Sequence, residues 1–396
     1  MPHDRAHGAA GRGAVSGGPP RYATRGIPPR RRARHVDDTR TGDATIDALA
    51  KLDGRRVLVT GGSGTIGARL VQRLLSLDAD VVRIFGRDET KQFYQRQQHH
   101  ARSDLRFLIG DIRDRDRLNR AMEGIDLVFH CAALKHVESG EYNPFEATQT
   151  NVVGTQNVID ACLAADVRTM ILTSSDKAAN PTSVMGASKL LAEKLVSAAT
   201  NYRGSHRTTF ASVRFGNVLG SRGSAIELFA RQVAAGGPVT VTDPSMTRFV
   251  MTTDRAVQLA IHASQVARGG EVFVFKMPVA RLADLVSATI AHGAPKAGLD
   301  PASIAIEPMA ARAGEKAYEE LMTQDESTRA YDIGEMYAVL PSIELDHRIP
   351  EAYQASPAAP VGAYRSDSVP AMAPEDVHRL VAEALAEPPD DRPPVA

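Results

Sequence analysis

The stretch VLVTGGSGTIGARL constrains this chain more than any other. A short β-branched run stops at a glycine cluster and passes at once into helical spacing, which sets Gly61, Gly64 and Gly67 in a TGxxGxxG turn between strand and helix. In such a turn the first glycine permits the bend, the second lets backbone approach a pyrophosphate, and the third lets the helix pack on the sheet. Ser63, Thr65 and Ile66 complete the expected cofactor loop. Glycines at this spacing alone could form an ordinary loop, but strand, helix and position agree on dinucleotide binding.

The rest of the chain keeps that rhythm. VVRIFG, RFLIGD, DLVFHCAAL and TMILTSS read as strands, each followed by a helical pattern. Such alternation predicts βαβ crossovers, hence an α/β doubly wound parallel sheet with helices on both faces (a Rossmann domain) over residues 51–215. After about residue 215 the pattern changes, and residues 216–345 are expected to form a smaller, interleaved substrate-binding lobe. The main sheet takes back a later strand, EVFVFKM, from about 250–276. Residues 346–396 are expected to be a C-terminal extension with a terminal helix at PEDVHRLVAEAL. Residues 1–50, rich in Gly, Pro and Arg, are expected to be a disordered arm. Its RRR run is a solvated tail, a contact for an acidic partner, or a sign that the start codon is placed too early.

Bulk charge narrows the partners. The 47 basic and 47 acidic residues cancel, so global charge suggests neither nucleic acid nor an anionic membrane as partner. Cys131 and Cys162 are too few for a disulfide framework and lie in apolar stretches, so buried inert thiols and no metal are expected. No run of about 18 apolar residues and no signal peptide is visible, which makes the cytoplasm the expected address.

The end of the second strand bears on the choice between NAD and NADP. An acid there suits a ribose 2′-hydroxyl, an arginine a 2′-phosphate. FGRDETK offers Gly86, then Arg87 and, one turn later, Lys91, which favours NADP over NAD. The alternative is that Arg87 merely pairs with Asp88 on the surface. Asp111, closing the third strand, is expected near the adenine with Ile112, and Ala132, Ala133 and Lys135 are expected beside the cofactor after the fourth strand.

The segment SSDKAANPTSVMGASK carries the chemistry. Ser175, Asp176 and Lys177 come straight off a strand's carboxyl edge, where open α/β sheets bind ligands, and the following helix carries Lys189. Nine lysines stand against 38 arginines, yet Lys135, Lys177 and Lys189 all fall in these segments. A desolvated lysine can lose its proton at working pH and an arginine cannot. The plainer reading is a surface ion pair between Asp176 and Lys177.

Together GGSGTIG, RDETKQ, FLIGDIRD, AALKHV, EYNP, SSDKAANP, RFGNVLGSRGS, MTRF and the GEK of ARAGEK resemble the inverting UDP-N-acetylglucosamine 4,6-dehydratases. These belong to the extended short-chain dehydrogenase/reductases and act in polysaccharide and pseudaminic acid biosynthesis. The resemblance spans about residues 52–340 and implies one catalytic cycle. NADP takes hydride from sugar C4, the ketone acidifies C5, water leaves from C6, hydride returns to C6, and C5 is reprotonated on the opposite face. By resemblance, Asp176 protonates the departing hydroxyl and Lys177 removes the C5 proton, provided desolvation or a cation lowers its pKa.

Met185 departs from that pattern, because tyrosine usually stands four residues before the lysine. It resembles a second branch of the family that carries methionine there. The C4 hydroxyl proton then goes to Asp176 or to a water held by Lys189 and Ser175, with Lys189 also fixing the nicotinamide ribose. Lys135, Asn217, Val218, Arg222 and Arg248 are the expected substrate contacts, since guanidinium groups suit a diphosphate. ARAGEK lacks the family's proline and HVESGEYNP differs beside the sugar pocket, so the sugar itself can differ. The resemblance also implies a homodimer or larger homo-oligomer, paired through helices near 144–165 and 184–200. Two other readings stand beside it. One is a related nucleotide-sugar enzyme, a C5 epimerase, 5,6-dehydratase or oxidoreductase; the other is a catalytically silent NADP-binding sensor, against which the Asp176–Lys177 pair argues.

Overall fold

The computed structural model describes residue 52 and residues 54–310, 314–343 and 350–386. The expected arm at 1–50 lies outside them. Six strands follow one another with helices between: β1 (Arg56–Thr60), β2 (Val81–Gly86), β3 (Leu105–Ile109), β4 (Leu127–His130), β5 (Thr169–Thr173) and β6 (Thr209–Arg214). The intervening helices are α1 (Thr65–Ser76), α2 (Glu89–Gln98), α3 (Arg115–Met122), α4 (Val137–Tyr142), α5 (Pro144–Thr148), α6 (Gly154–Ala164) and α7 (Val184–Tyr202).

Side chains alternate across a strand, so each strand feeds two cores. Val57 and Val59 of β1 pack with Leu70, Val71 and Leu74 of α1 on one face. Leu58 faces the other, with Leu118 of α3, Val158 of α6 and Val196 of α7. The parallel order is β3-β2-β1-β4-β5-β6, extended by a later strand β10 (Val272–Phe275) beside β6. This is the doubly wound sheet expected from the alternation. Between β1 and β4 the order reverses, which opens a crevice at the strands' carboxyl ends.

The smaller lobe has its own core. It contains β7 (Asn217–Val218), α8 (Ala225–Ala234), β8 (Val239–Val241) and β9 (Thr247–Met251), then, beyond α9 (Thr253–Val266) and β10, β11 (Val279–Arg281), α10 (Leu282–Gly293) and β12 (Ile306–Pro308). Phe229, Val233, Leu285 and Val286 pack there with Val377 and Val381 of the terminal helix Pro374–Ala386. Helix α9 instead packs on the large sheet, through Val257 and Ile261. β13 (Glu320–Met322) is followed by β14 (Ala330–Asp332) and β15 (Met336–Val339), which extend the large sheet, β15 antiparallel to β10 and β14 antiparallel to β15. The chain after residue 350 is built into the fold: β16 (Tyr364–Arg365) pairs with β13, and the Tyr364 hydroxyl accepts from Met277 N at 3.0 Å.

Candidate active site

At the first turn Gly61 has φ +67°, a conformation that glycine adopts without strain, and a Cβ there would lie 2.8 Å from Ala132 N. Gly64 is the N-cap of α1 with no side-chain capping bond, and the helix's first turn carries no acid. Such an end, with its N–H groups and positive dipole, fits a pyrophosphate. Arg222 closes over this loop, donating from Nη2 to Ser63 O at 2.9 Å, while Lys135 Nζ donates to Arg222 O at 2.6 Å. Burial, and then the Arg222 cation, lower the Lys135 pKa. Ala132 and Ala133 are half-buried on the same loop, and Ile112 is buried against Gly154.

At the end of β2, Arg87 is half-exposed and pairs with Asp111 at 3.3 Å. It does not pair with Asp88, whose carboxylate caps α2 by accepting from Lys91 N and pairs with Lys91 Nζ at 3.0 Å. Asp111, expected at an adenine, also takes a guanidinium bond from Arg113 at 2.7 Å, so its Oδ2 is shared by two arginines. The nearest acid to the strand end is thereby tied up as a helix cap.

Beyond β5 the chain makes a 3₁₀ turn over Asp176–Ala178. The Ser175 hydroxyl accepts from Lys177 N at 3.3 Å and donates to Asp176 Oδ1 at 2.5 Å. Asp176 is buried, and Lys177 Nζ donates to both its oxygens at 3.2 and 3.1 Å. Glu319, just before β13, reaches the same point: its Oε1 is 3.7 Å from Lys177 Nζ and 3.7 Å from Arg248 Nε. Burial alone would raise the Asp176 carboxyl, but Lys177 and hydrogen bonds from Glu319 and Ser175 hold it down to about 2. Burial, and then the Asp176 charge, push Glu319 up to about 8.

Lys177 departs from expectation. Burial does act to lower its pKa, but Asp176 and Glu319 outweigh it and the net shift is upward. In the site as it stands Lys177 is an ammonium ion rather than a free base.

Helix α7 is pressed onto this turn at Gly186, where any Cβ would run into the Lys177 carbonyl oxygen. Its N-cap Ser183 accepts from Gly186 N at 3.2 Å. Met185 is buried against Gly140 of α4, and one turn on Lys189 donates to Thr173 O at 2.6 Å. Burial lowers Lys189 to about 8 and raises Cys131 beside it to about 12, so the thiol stays protonated. Cys162 is buried, and its pKa is raised by burial alone.

Asn217, Val218 and Arg248 line a cavity of about 290 Å³ together with Thr240, Thr242 and Glu315. Arg222, expected among the substrate contacts, is not in that lining; its guanidinium turns back to the glycine loop. A larger cavity of about 570 Å³ lies at the amino ends of β1, β4 and β5, the wrong edge of a parallel sheet for this chemistry.

Several groups escaped the sequence reading. Asn151, in a π-helical turn at Gln149–Val153, bonds to both N and O of Leu134 and to Ser188, holding the loop after β4 onto α7. Arg214 is buried between Glu193 of α7 and Glu326, and it also donates to Leu321 O at 3.0 Å, locking β13 to β6. Glu319 itself is followed by a second glutamate and then LM, which gave no periodic or motif signal.

Residues 57–341 match the family described as "Polysaccharide biosynthesis protein". An uncharacterized membrane protein of Methanocaldococcus jannaschii is 48% identical over 72% of this chain and 86% of its own. The UDP-N-acetylglucosamine 4,6-dehydratase (inverting) of Campylobacter jejuni is 38% identical over 74% and 85%. The UDP-glucose 4-epimerase of Rickettsia prowazekii is 39% identical over 72% and 82%. Among solved structures, Pen from Bacillus thuringiensis superposes with a TM-score of 0.78 at 44% identity, covering 84% of this chain and 98% of its own. DesIV, the dTDP-glucose 4,6-dehydratase from Streptomyces venezuelae with NAD and TYD bound, gives 0.58 at 26%, covering 66% and 86%.

Proposed function

We propose a function from one premise: this chain belongs to the polysaccharide biosynthesis protein family. It is a nucleotide-sugar 4,6-dehydratase that acts on UDP-N-acetylglucosamine, inverts C5 and recycles NADP. The buried Asp176–Lys177–Glu319 cluster at the carboxyl edge of the sheet carries this reading. A 4-epimerase needs hydride exchange at C4 and one group to take and return the hydroxyl proton, whereas removing water across C5 and C6 needs a further base for C5 and an acid for the departing oxygen.

When bound, a nicotinamide cofactor supplies the hydride acceptor for C4 and the hydride donor for C6. The residues that would hold it are the glycine loop with Ser63, Thr65 and Ile66, together with Ile112, Ala132, Ala133, Lys135, Arg222 and Lys189. Arg87 stands half-exposed at the end of β2, and Asp88 is committed to its cap, a combination that favours NADP over NAD.

Met185 is the methionine variant of the usual tyrosine and cannot move a proton. The Ser175 hydroxyl, already bonded to an ionised Asp176, takes over: the C4 hydroxyl proton passes through Ser175 to Asp176. Asp176 then delivers it to the C6 oxygen as that C–O bond breaks, forming water. Lys177, once it has given up its own proton, removes the C5 proton, and Arg248 with Asn217 and Val218 holds the nucleotide end of the substrate in the smaller cavity. A positioned base is worth about a hundred- to ten-thousandfold, so a relay that substitutes imperfectly for tyrosine still supports turnover.

The partner in assembly is a second copy of this chain. Tyr142 is 88% exposed and Phe145 68%, and with Leu191 and Tyr202 they leave apolar side chains uncovered on α4, α5 and α7. Phe145→Glu should shift the elution of the purified protein towards monomer; an unchanged profile would remove this face from consideration. Among the described residues no helix is long and apolar enough to cross a membrane, and a cytoplasmic address is part of the same proposal.

The test is incubation with UDP-N-acetylglucosamine and NADP in deuterated water, followed by mass spectrometry and NMR. Loss of one water with deuterium at an inverted C5 is expected. C4 epimerisation without deuterium at C5 would replace the dehydratase by an epimerase. Inertness towards a set of nucleotide sugars would favour the silent sensor.

A further inference from the structure

We propose that Glu319 keeps the one spare proton of the buried cluster and thereby decides when Lys177 can act as a base, a role that rests on the dehydratase reading. Asp176 and Glu319 both flank Lys177, and Glu319 also lies beside Arg248, which pairs with Glu315. Asp176 is the ionised one, because Ser175 and Lys177 both donate to it at hydrogen-bonding distance. Glu319 meets its two cations only at 3.7 Å, beyond hydrogen-bonding range, and its carboxyl lies against Asp176. Two adjacent buried carboxyl groups share one proton rather than both ionise.

Among the described residues, the other faces around Glu319 offer no further cation to hold its charge. Ser366 clamps its backbone, with Glu319 N donating to Ser366 Oγ and Ser366 N donating to Glu319 O, both at 2.9 Å. Arg365 on β16 is paired with Asp367 and lies over the Tyr318 ring, and Glu320 sits opposite it in the β13–β16 ladder. Burial and the Asp176 charge, which push the Glu319 carboxyl up to about 8, agree with this assignment.

The consequence lies in Lys177. When Asp176 takes the C4 hydroxyl proton its negative charge disappears. With Glu319 neutral, the Lys177 ammonium then faces Arg248 in a buried site without a carboxylate partner, and both burial and that cation drive its proton off. About a third of the Lys177 side chain is exposed, so the proton leaves to water. The free amine accepts the proton from C5, Asp176 returns its own to the departing C6 oxygen, and solvent reprotonates C5. Once Glu319 ionises, its carboxylate holds the ammonium in place and the base is switched off.

The test compares Glu319→Gln and Glu319→Asp for deuterium exchange at C5 of UDP-N-acetylglucosamine, with NADP, across pH. The wild-type rate is expected to fall above about pH 8. Glu319→Gln should be slower by up to about tenfold at neutral pH but lose that alkaline fall, and Glu319→Asp should restore it. A loss of about a hundredfold or more at neutral pH in Glu319→Gln, or an alkaline fall that persists in it, overturns the proposal. Infrared titration of the substrate-free proteins reads the charge directly: a protonated-carboxyl band at neutral pH should vanish on raising the pH and be missing in Glu319→Gln. Its absence from the wild type also overturns the proposal. A normal band in a protein that exchanges no C5 proton means instead that the dehydratase reading has failed, and Glu319's part in catalysis with it.

Discussion

The cofactor side and the acid–base side of this crevice are built in opposite ways. On the cofactor side the ion pairs come from neighbouring elements, Asp88 with Lys91 and Arg87 with Asp111 at the end of the adjacent strand, and the glycine loop caps its own helix, although Arg222 crosses over to Ser63 O. Its ion pairs are largely exposed, where each is worth at most about 1 kcal/mol. On the acid–base side Asp176 and Lys177 meet Arg248, Glu315 and Glu319 from distant segments, all largely buried. Arg214, 1% exposed between Glu193 and Glu326, holds those segments in register, and removing one partner of such a buried group costs about 3–5 kcal/mol. Local, solvated charges select a ligand; remote, buried charges share protons.

The strongest test of that contrast is Lys177→Ala. It should reduce C5 deuterium exchange by about a hundred- to ten-thousandfold while NADP binding, read by fluorescence titration, stays intact. If both fell together, the two sides would not be separable. Arg87→Ala should do the reverse at smaller scale, weakening NADP about tenfold and leaving NAD affinity and C5 exchange at saturating cofactor unchanged. Equal loss for both cofactors would remove Arg87 from the 2′-phosphate. Met185→Ala should have the smallest effect on rate, less than about tenfold per folded molecule, although emptying a buried methionine site costs about 2 kcal/mol or more in a denaturant melt. An effect on exchange as large as that of Lys177→Ala would show that the thioether shapes the reacting geometry.

A stability measurement sharpens the same comparison. The raised Glu319 carboxyl keeps a proton between about pH 4.5 and 8 that the unfolded chain has released, so stability should fall as pH rises through that window. Glu319→Gln should flatten that slope. A slope unchanged by the substitution would place the titration elsewhere.

Periodicity and local motifs are properties of short windows, and that is why the sheet and the glycine turn are legible in the sequence itself. Alternation in VLVT already assigns Val57 and Val59 to one face and Leu58 to the other, and TGxxGxxG needs only its own backbone to form. Asp176 and Lys177 are visible because they are adjacent. Their protonation is not: the sequence suggests a lysine whose pKa falls on burial, and it rises because the Asp176 charge, and then Glu319 arriving from beyond β12, outweigh that burial. Arg222 has the chemistry of a diphosphate ligand, yet the fold turns it onto Ser63. Residue type and spacing settle which groups can bond within a turn or a strand. Which charges share a dry crevice depends on chain crossings that no window contains, and there burial and Coulomb forces set each proton's place.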